Sequence, residues 1–280
     1  MAPCRRHGAW DERRRSVALP PPVVRDAAVL LGQFQAVLEA VGAGQAPPTV
    51  CCERWVSSAL ILGAGQSAAD ADLAGCWARG IPVGRRLAGG TAVYATPDYL
   101  SFAVVAPAAH PLVVGDLLAT YRRLGEIVVA ACGALDMPAR LICPGEARAR
   151  PTSATLRPFC YGGFSPYEVL VGVAQVRRFG AVAYVGGLYR AFDPVAQGAC
   201  LAGDTALRLG RAAQLAASTT DLAAVGRPQV LEQVPGALVA ALAEGCGIAL
   251  SPGELTDEER DRAARLTVER YARDDWTCRS

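Results

Sequence analysis

The sequence predicts an α+β chain, a mixed sheet with flanking helices. With 280 residues, 52% of them hydrophobic, the chain can bury a sizeable core. Its β-rich runs also stand next to one another instead of alternating regularly with helices, which argues against a doubly wound sheet. The third observation is helical spacing at both ends of the chain.

Residues 1–24 end in "LPPP" and read as a mobile arm. In "VRDAAVLLGQFQAVLEAVGAG" the residues Leu30, Leu31, Phe34, Val37, Leu38 and Val41 share one side, with glycines at the end, so a helix is expected. "WVSSALILG" reads as a strand, "ADADLAGCWARG" as a helix capped by Gly80, and "IPVGRR" as a strand. "TAVYA" and "YLSFAVVA" are two β-rich runs separated by the turn "TPD". A long amphipathic helix is expected over "HPLVVGDLLATYRRLGEIVVAACGAL", then a short strand "ARLIC" and a polar loop over residues 144–155. "YEVLVGVAQVRRFGAVAYVGGLYR" reads as a strand pair, and the pattern is helical from Thr205 onward. The expected organisation is an arm over 1–24, an α+β domain over 25–204 and a helical extension over 205–280.

Composition excludes several functions. A formal charge of +2 leaves no electrostatic footprint for nucleic acid or an anionic membrane. With no window of 18 apolar residues and no secretory pattern, a soluble, cytoplasmic protein is expected. All 28 basic residues are arginine, so Schiff-base chemistry and a lysine-bearing phosphate loop are ruled out. The ten cysteines form no C-x-x-C pair and have no clustered histidines, so neither a metal site nor a disulfide framework is indicated. His110 is the one weak candidate for a catalytic base beyond the arm.

Two glycine-rich stretches invite a ligand. "LILGAGQSA" carries G-x-G-x-x-A (Gly63, Gly65, Ala68) after a strand, and the next strand ends in Arg85 and Arg86, where an NADP-binding unit keeps an arginine for its 2′-phosphate. The residues "QSAADAD" then separate the glycines from the helix, which weakens that reading. "GRRLAGGTAVY" is either a tight turn with arginines on its solvated face or a ligand-facing loop. Glycine lets main chain approach a ligand and offer its N–H groups.

"SSALILGAGQSAADADLAGCWARGIPVGRRLAGGTAVY" resembles the lipoate–protein ligase and octanoyltransferase superfamily, in which a strand ending in Gly and a nearby Gln precede a helix and an R-R-x-S/T-G-G-x-A-V-x-H hairpin. The likeness continues through "GDLLATYRRLGEIVVAACGAL" and "FCYGGFSPYEVLVGVAQVRRFGAVAYVGG" and ends at "LTDEERDRAARLTVERYARDDWT", covering residue 25 to the end. It implies a biotin/lipoate protein ligase-like fold. It also implies an acyl site holding an octanoyl or lipoyl group over Arg86, Ala88, Gly89, Gly90 and Thr91, with Gln175 and Gly186 contributing. Cys160 precedes Tyr167 and Glu168 at the spacing of the cysteine-dependent octanoyltransferases, which implies a thioester nucleophile. Arg157, Arg177 or Arg178 are candidates to lower its pKa. The implied partners are an acyl carrier protein or a lipoyl-domain protein. No cofactor is expected, and ATP enters only for a ligase.

The departures are equally specific. The family's G-R-K-x-x-G segment is missing after "YEVLVG", and the functional lysine is missing with it. Val185-Gly186 stands where the family has His-Gly, and Ala95 stands where a histidine follows the glycine pair. The alternatives are an active acyltransferase working through Cys160 and a degenerate acyl-binding or carrier-docking module.

Overall fold

In the computed structural model, residues 16–18, 26–110, 112–113, 115–149, 153–163, 166–167, 173–247 and 250–279 are described. Their strands are β1 (Ser16–Ala18), β2 (Thr49–Arg54), β3 (Ala59–Leu62), β4 (Val83–Arg85), β5 (Val93–Ala95), β6 (Tyr99–Pro107), β7 (Val173–Arg178), β8 (Ala181–Tyr189) and β9 (Pro252–Gly253). The helices are α1 (Ala27–Gly42), α2 (Leu73–Ala78), α3 (Leu117–Gly133), α4 (Pro144–Ala149), α5 (Pro194–Ala199), α6 (Thr205–Ser218), α7 (Val234–Cys246), α8 (Asp257–Leu266) and α9 (Asp274–Thr277). A six-stranded sheet runs β7-β8-β6-β2-β1-β9, and a three-stranded sheet runs β4-β3-β5. The α+β class expected from the sequence is the class observed.

Strand alternation sorts the large sheet's side chains onto two buried faces. Along β6, Tyr99, Ala103 and Val105 face a core with Leu30, Leu38 and Val41 of α1 and Ala263 and Leu266 of α8. Leu100, Phe102 and Val104 face the other way, onto Leu124, Ile127 and Val128 of α3 and Leu238 and Leu242 of α7. The small sheet shares Ile61 and Ala95 with the first core, and its outer face carries Leu60, Leu62 and Tyr94 against Cys76, Leu201 and Leu215.

Local sequence accounts for the helix starts. Asp26, Asp116 and Asp204 accept from backbone N–H groups in the first turns of α1, α3 and α6. Thr256 and Glu259 form a reciprocal capping box on α8. Asp116 also explains why α3 starts at Leu117, later than the apolar pattern suggests.

Several expectations need correction. The run "TAVYA" and the run "YLSFAVVA" belong to different sheets, β5 pairing with β3 and β6 with β2 and β8. "ARLIC" forms no ladder, Leu141 making only a bridge, and α4 lies inside the expected polar loop because Pro144 suits a first helical turn. "TVCCER" is a strand, β2, that the apolar pattern missed: Val50 and Cys52 pack on one core while half-buried Cys51 meets the other. Ser16–Ala18, inside the expected arm, pairs in parallel with β2 and β9, and the rest of the arm lies outside the described residues.

Candidate functional site

β4 and β5 flank β3, one parallel and one antiparallel, so residues 86–92 cross the end of β3 and do not form the expected hairpin. The crossing is tight, and a Cβ on Gly63 would fall 1.8 Å from the Gly90 carbonyl oxygen. Arg86 braces the loop. Its guanidinium donates to the carbonyls of Ile61 (3.2 Å), Gly89 (2.8 Å) and Thr91 (2.8 Å). Ala88 is buried and its carbonyl accepts from Ala64 N at 2.9 Å, whereas Gly89 and Gly90 are exposed and Thr91 is half-buried. Gly90 has φ +82°, and a Cβ there would sit 3.1 Å from Arg86 Nη2 and 4.0 Å from Cys160 Sγ. A side chain at Gly89 would meet nothing within 4 Å.

The segment carrying Cys160 is strapped to this loop. Ala92 N donates to Pro158 O (3.0 Å) and Cys160 N to Ala92 O (2.9 Å), making a parallel bridge between Ala92 and Phe159. Gln66 adds a strap that sequence reasoning quoted only as part of a motif. Its buried amide donates to Pro158 O (3.0 Å) and Asp70 Oδ2 (3.2 Å), while its Oε1 accepts from Gly63 N (3.3 Å). Gln66 therefore ties the turn beneath Gly90 to the turn before Cys160.

Cys160 is half-buried beside an aromatic wall. Tyr161 donates its hydroxyl hydrogen to the Tyr99 oxygen at 3.1 Å, and Tyr189 packs tilted against Tyr99 and edge-to-face against Tyr161 and Phe192, with centroids 4.6, 5.5 and 5.0 Å away. Burial pushes Tyr99 up to about 12 and holds Tyr161 and Tyr189 well above the usual phenol value, so all three stay neutral. The Tyr99 hydroxyl feels both Cys160 and Arg86 electrostatically.

Other candidates lie elsewhere. Alternation puts Gly186 on the α3/α7 face with Tyr184 and Leu188; the glycine facing the aromatic wall is Gly187, where a Cβ would fall 2.1 Å from the Tyr99 hydroxyl. Gln175 pairs through its backbone with Tyr184; its side chain and Glu168 lie outside the described residues. Ala95 is buried in β5, and Val185 packs against the first core. His110 follows β6 at the end opposite Tyr99, about 26 Å along at 3.3 Å per residue, and its Nδ1 accepts from Leu112 N. Arg157 is exposed on the turn before Cys160, and Arg177 and Arg178 pair with Val182 and Ala181 at the β8 end away from Tyr189.

The dinucleotide reading fails. Arg85 is 1% exposed, and its guanidinium donates to Gly63 O, Gln66 O, Thr277 O and Arg279 O. It is consumed by main-chain carbonyls, and Gly63 makes room for Gly90, not for a pyrophosphate. Among the described residues no group of three or more His, Cys, Asp or Glu side chains could hold a metal ion, and no helix is long and apolar enough to cross a membrane.

The model of the lipoyl protein ligase A/B catalytic domain matches residues 26–190, more than half of the chain. The chain belongs to this family. Family relatives include an octanoyltransferase LipM from Kyrpidia tusciae, 33% identical over 256 residues covering 88% of this chain and 92% of the relative. Another octanoyltransferase LipM, from Symbiobacterium thermophilum, is 30% identical with the same coverage of both chains. Among solved structures, a bipartite lipoate protein ligase from Thermoplasma acidophilum, studied with its E2 lipoyl domain, superposes with a TM-score of 0.76 at 21% identity. That match covers 95% of this chain and 97% of the other and demonstrates the shared family fold.

Proposed function

We propose that this chain is an octanoyltransferase that moves an octanoyl group from the thioester of an acyl carrier protein to a lysine of a lipoyl domain, by way of a thioester on Cys160. The observation that carries the reading is the place of the Cys160 sulfur. It lies 4.0 Å from the space that a Gly90 side chain would fill, on a loop braced by Arg86. The names of the relatives supply the acyl group and the reaction class.

The carrier thioester lies over Gly89 and Gly90, where no side chain intervenes. The Cys160 sulfur attacks its carbonyl carbon, the carbon–sulfur bond to the carrier breaks, and the proton from Cys160 leaves with the carrier thiol. The lysine amine then attacks the enzyme thioester, an amide forms, and Cys160 regains a proton. The exchange conserves acyl-bond energy and needs no ATP. The fixed charge of Arg86, held in the same loop by the Gly89 and Thr91 carbonyls, offsets in part the negative charge that the carbonyl oxygen gains, in place of the lysine that this chain lacks. The neutral rings of Tyr99, Tyr161 and Tyr189 supply an apolar side for the alkyl chain.

Incubation with octanoyl carrier protein followed by intact-mass measurement tests this. One octanoyl mass should appear on the wild-type chain, disappear on adding a lipoyl domain, and never form on Cys160→Ala. A wild-type chain that binds the carrier without gaining mass would be a docking module and would end the transferase reading.

A further inference from the structure

Outside the acyl site, two cysteines from distant parts of the chain meet. Cys76 in α2 and Cys200 after α5 are both buried; the Cys76 thiol donates to Cys200 O at 3.7 Å and the Cys200 thiol to Ala196 O at 3.3 Å. A bridge between Ala71 and Leu201, with Asp72 N donating to Cys200 O (3.0 Å) and Ala202 N to Asp70 O (2.9 Å), holds the two segments in register. Arg79 covers the pair. Its Nη2 lies 3.9 Å from each sulfur and donates to Ala199 O at 2.8 Å, while its Nε donates to Gly75 O. Asp72, the carboxylate that both thiols feel electrostatically, is engaged by Arg208 at 2.7 Å.

We propose that Cys76 and Cys200 form an oxidisable dithiol, a modification site separate from the acyl nucleophile, which hydroperoxides convert to a disulfide joining α2 to the segment after α5. Arg79 is the only side chain of the trio exposed to solvent, so it marks the side from which a small oxidant enters.

The contrast with the other buried thiols supports this assignment. Burial pushes Cys52 up to about 12 and Cys132 up to about 11, which leaves them inert as thiols. Cys76 is held down at about 7 by the neighbouring Cys200 thiol, against burial, with Arg79 adding charge and a hydrogen bond. Cys200 is raised correspondingly and keeps its proton. This is the asymmetry a dithiol needs, with one sulfur as attacking thiolate and its neighbour as resolving thiol.

In the first step the Cys76 thiolate attacks one oxygen of the hydroperoxide, the O–O bond breaks, and the released oxide takes a proton, leaving a sulfenic acid. The Cys200 sulfur then displaces the hydroxyl group from Cys76. Its proton leaves with that hydroxyl as water, and the S–S bond closes. Two thiols supply the two electrons that reduce one peroxide.

The test treats the folded full-length chain with hydrogen peroxide, then denatures it, alkylates the remaining thiols and maps the peptides. A Cys76–Cys200 linked peptide should appear, with Cys52 and Cys132 fully alkylated. Cys200→Ser should instead leave a dimedone-reactive sulfenic acid on Cys76. Arg79→Met should slow disulfide formation about tenfold at neutral pH through the smaller thiolate fraction. If Cys76 and Cys200 stay fully alkylatable, or oxidise no faster than Cys52 and Cys132, the proposal is overturned. Octanoyl loading of Cys160 reads out separately, so either idea can fail without the other.

Discussion

Gly90 has a left-handed backbone, and the space where a side chain would stand is bordered by the Arg86 guanidinium and the Cys160 sulfur. Gly90→Val should therefore abolish octanoyl loading, both by filling that space and by straining a φ that β-branched residues avoid. Loading at the wild-type rate in a folded Gly90→Val chain would rule out the loop as the acyl floor. The two neighbouring arginines divide their work in a way adjacency cannot reveal. Arg86 braces the loop from a half-buried position, while Arg85 is sealed inside and bonded to four main-chain carbonyls. Arg85→Met should remove the donor to the Gln66, Thr277 and Arg279 carbonyls and cost about 3 kcal/mol. For a chain of this size that is roughly a 6 °C fall in Tm by calorimetry. Cys160 and the glycine pair were legible because a family motif names them. Gln66 was visible only as a motif letter, since its three partners lie up to 92 residues away. Gly186 was legible as a motif position, but the face of β8 it occupies was not, because a one-residue offset reverses the face.

Among the elements, the contact between α1 and α8 carries a titratable pair. Glu39 accepts from Arg262 Nε at 2.7 Å and Nη2 at 3.2 Å. Burial alone would raise the Glu39 carboxyl, but the hydrogen bonds from Arg262 and Gln35 and the Arg262 charge outweigh it, so the pKa falls below the ordinary 4.5. The group is depressed in the folded state, so its stabilisation is complete above the unfolded value and is lost as pH falls through the folded one. Glu39→Gln should lower stability by about 1 kcal/mol near neutral pH, the pair being partly exposed. The Tm difference from wild type should shrink between about pH 5 and pH 3. A difference that stays constant over that range would mean the charge contributes nothing. The periodic elements α1, α3, β7 and β8 were readable from spacing. β2 and α4 were not, because a strand with paired cysteines and charges lacks a clean alternation, and Pro-Gly suits a turn as well as a first helical turn.

At the scale of the molecule, residues 276–279 close over the foundation of the Gly89–Gly90 loop. Trp276 Nε1 donates to Arg85 O at 3.0 Å, and Arg279 lies over the Trp276 ring at 3.8 Å from its centroid and donates to Ala64 O at 2.8 Å. Together with the Arg85 bonds to Thr277 and Arg279, these contacts clamp the turn on which Gly90 rests. Deleting residues 276–280 should lower Tm and octanoyl loading together, and normal loading by a destabilised but folded truncation would show that the clamp supports the fold without shaping the site. What the sequence by itself determined was local or ordered along the chain. Helical and strand periodicity, helix caps, the absence of lysine and a succession of family blocks can all be read without knowing any distance in space. Tertiary structure alone decided that β5 leaves β6 for a second sheet, that Arg85 is consumed while Arg86 braces, that Gly187 and not Gly186 faces the tyrosines, and that Cys76 meets Cys200. The reason is physical: each depends on which surface a strand or turn packs against, and that is settled by hydrogen bonds and burial between residues far apart in the chain.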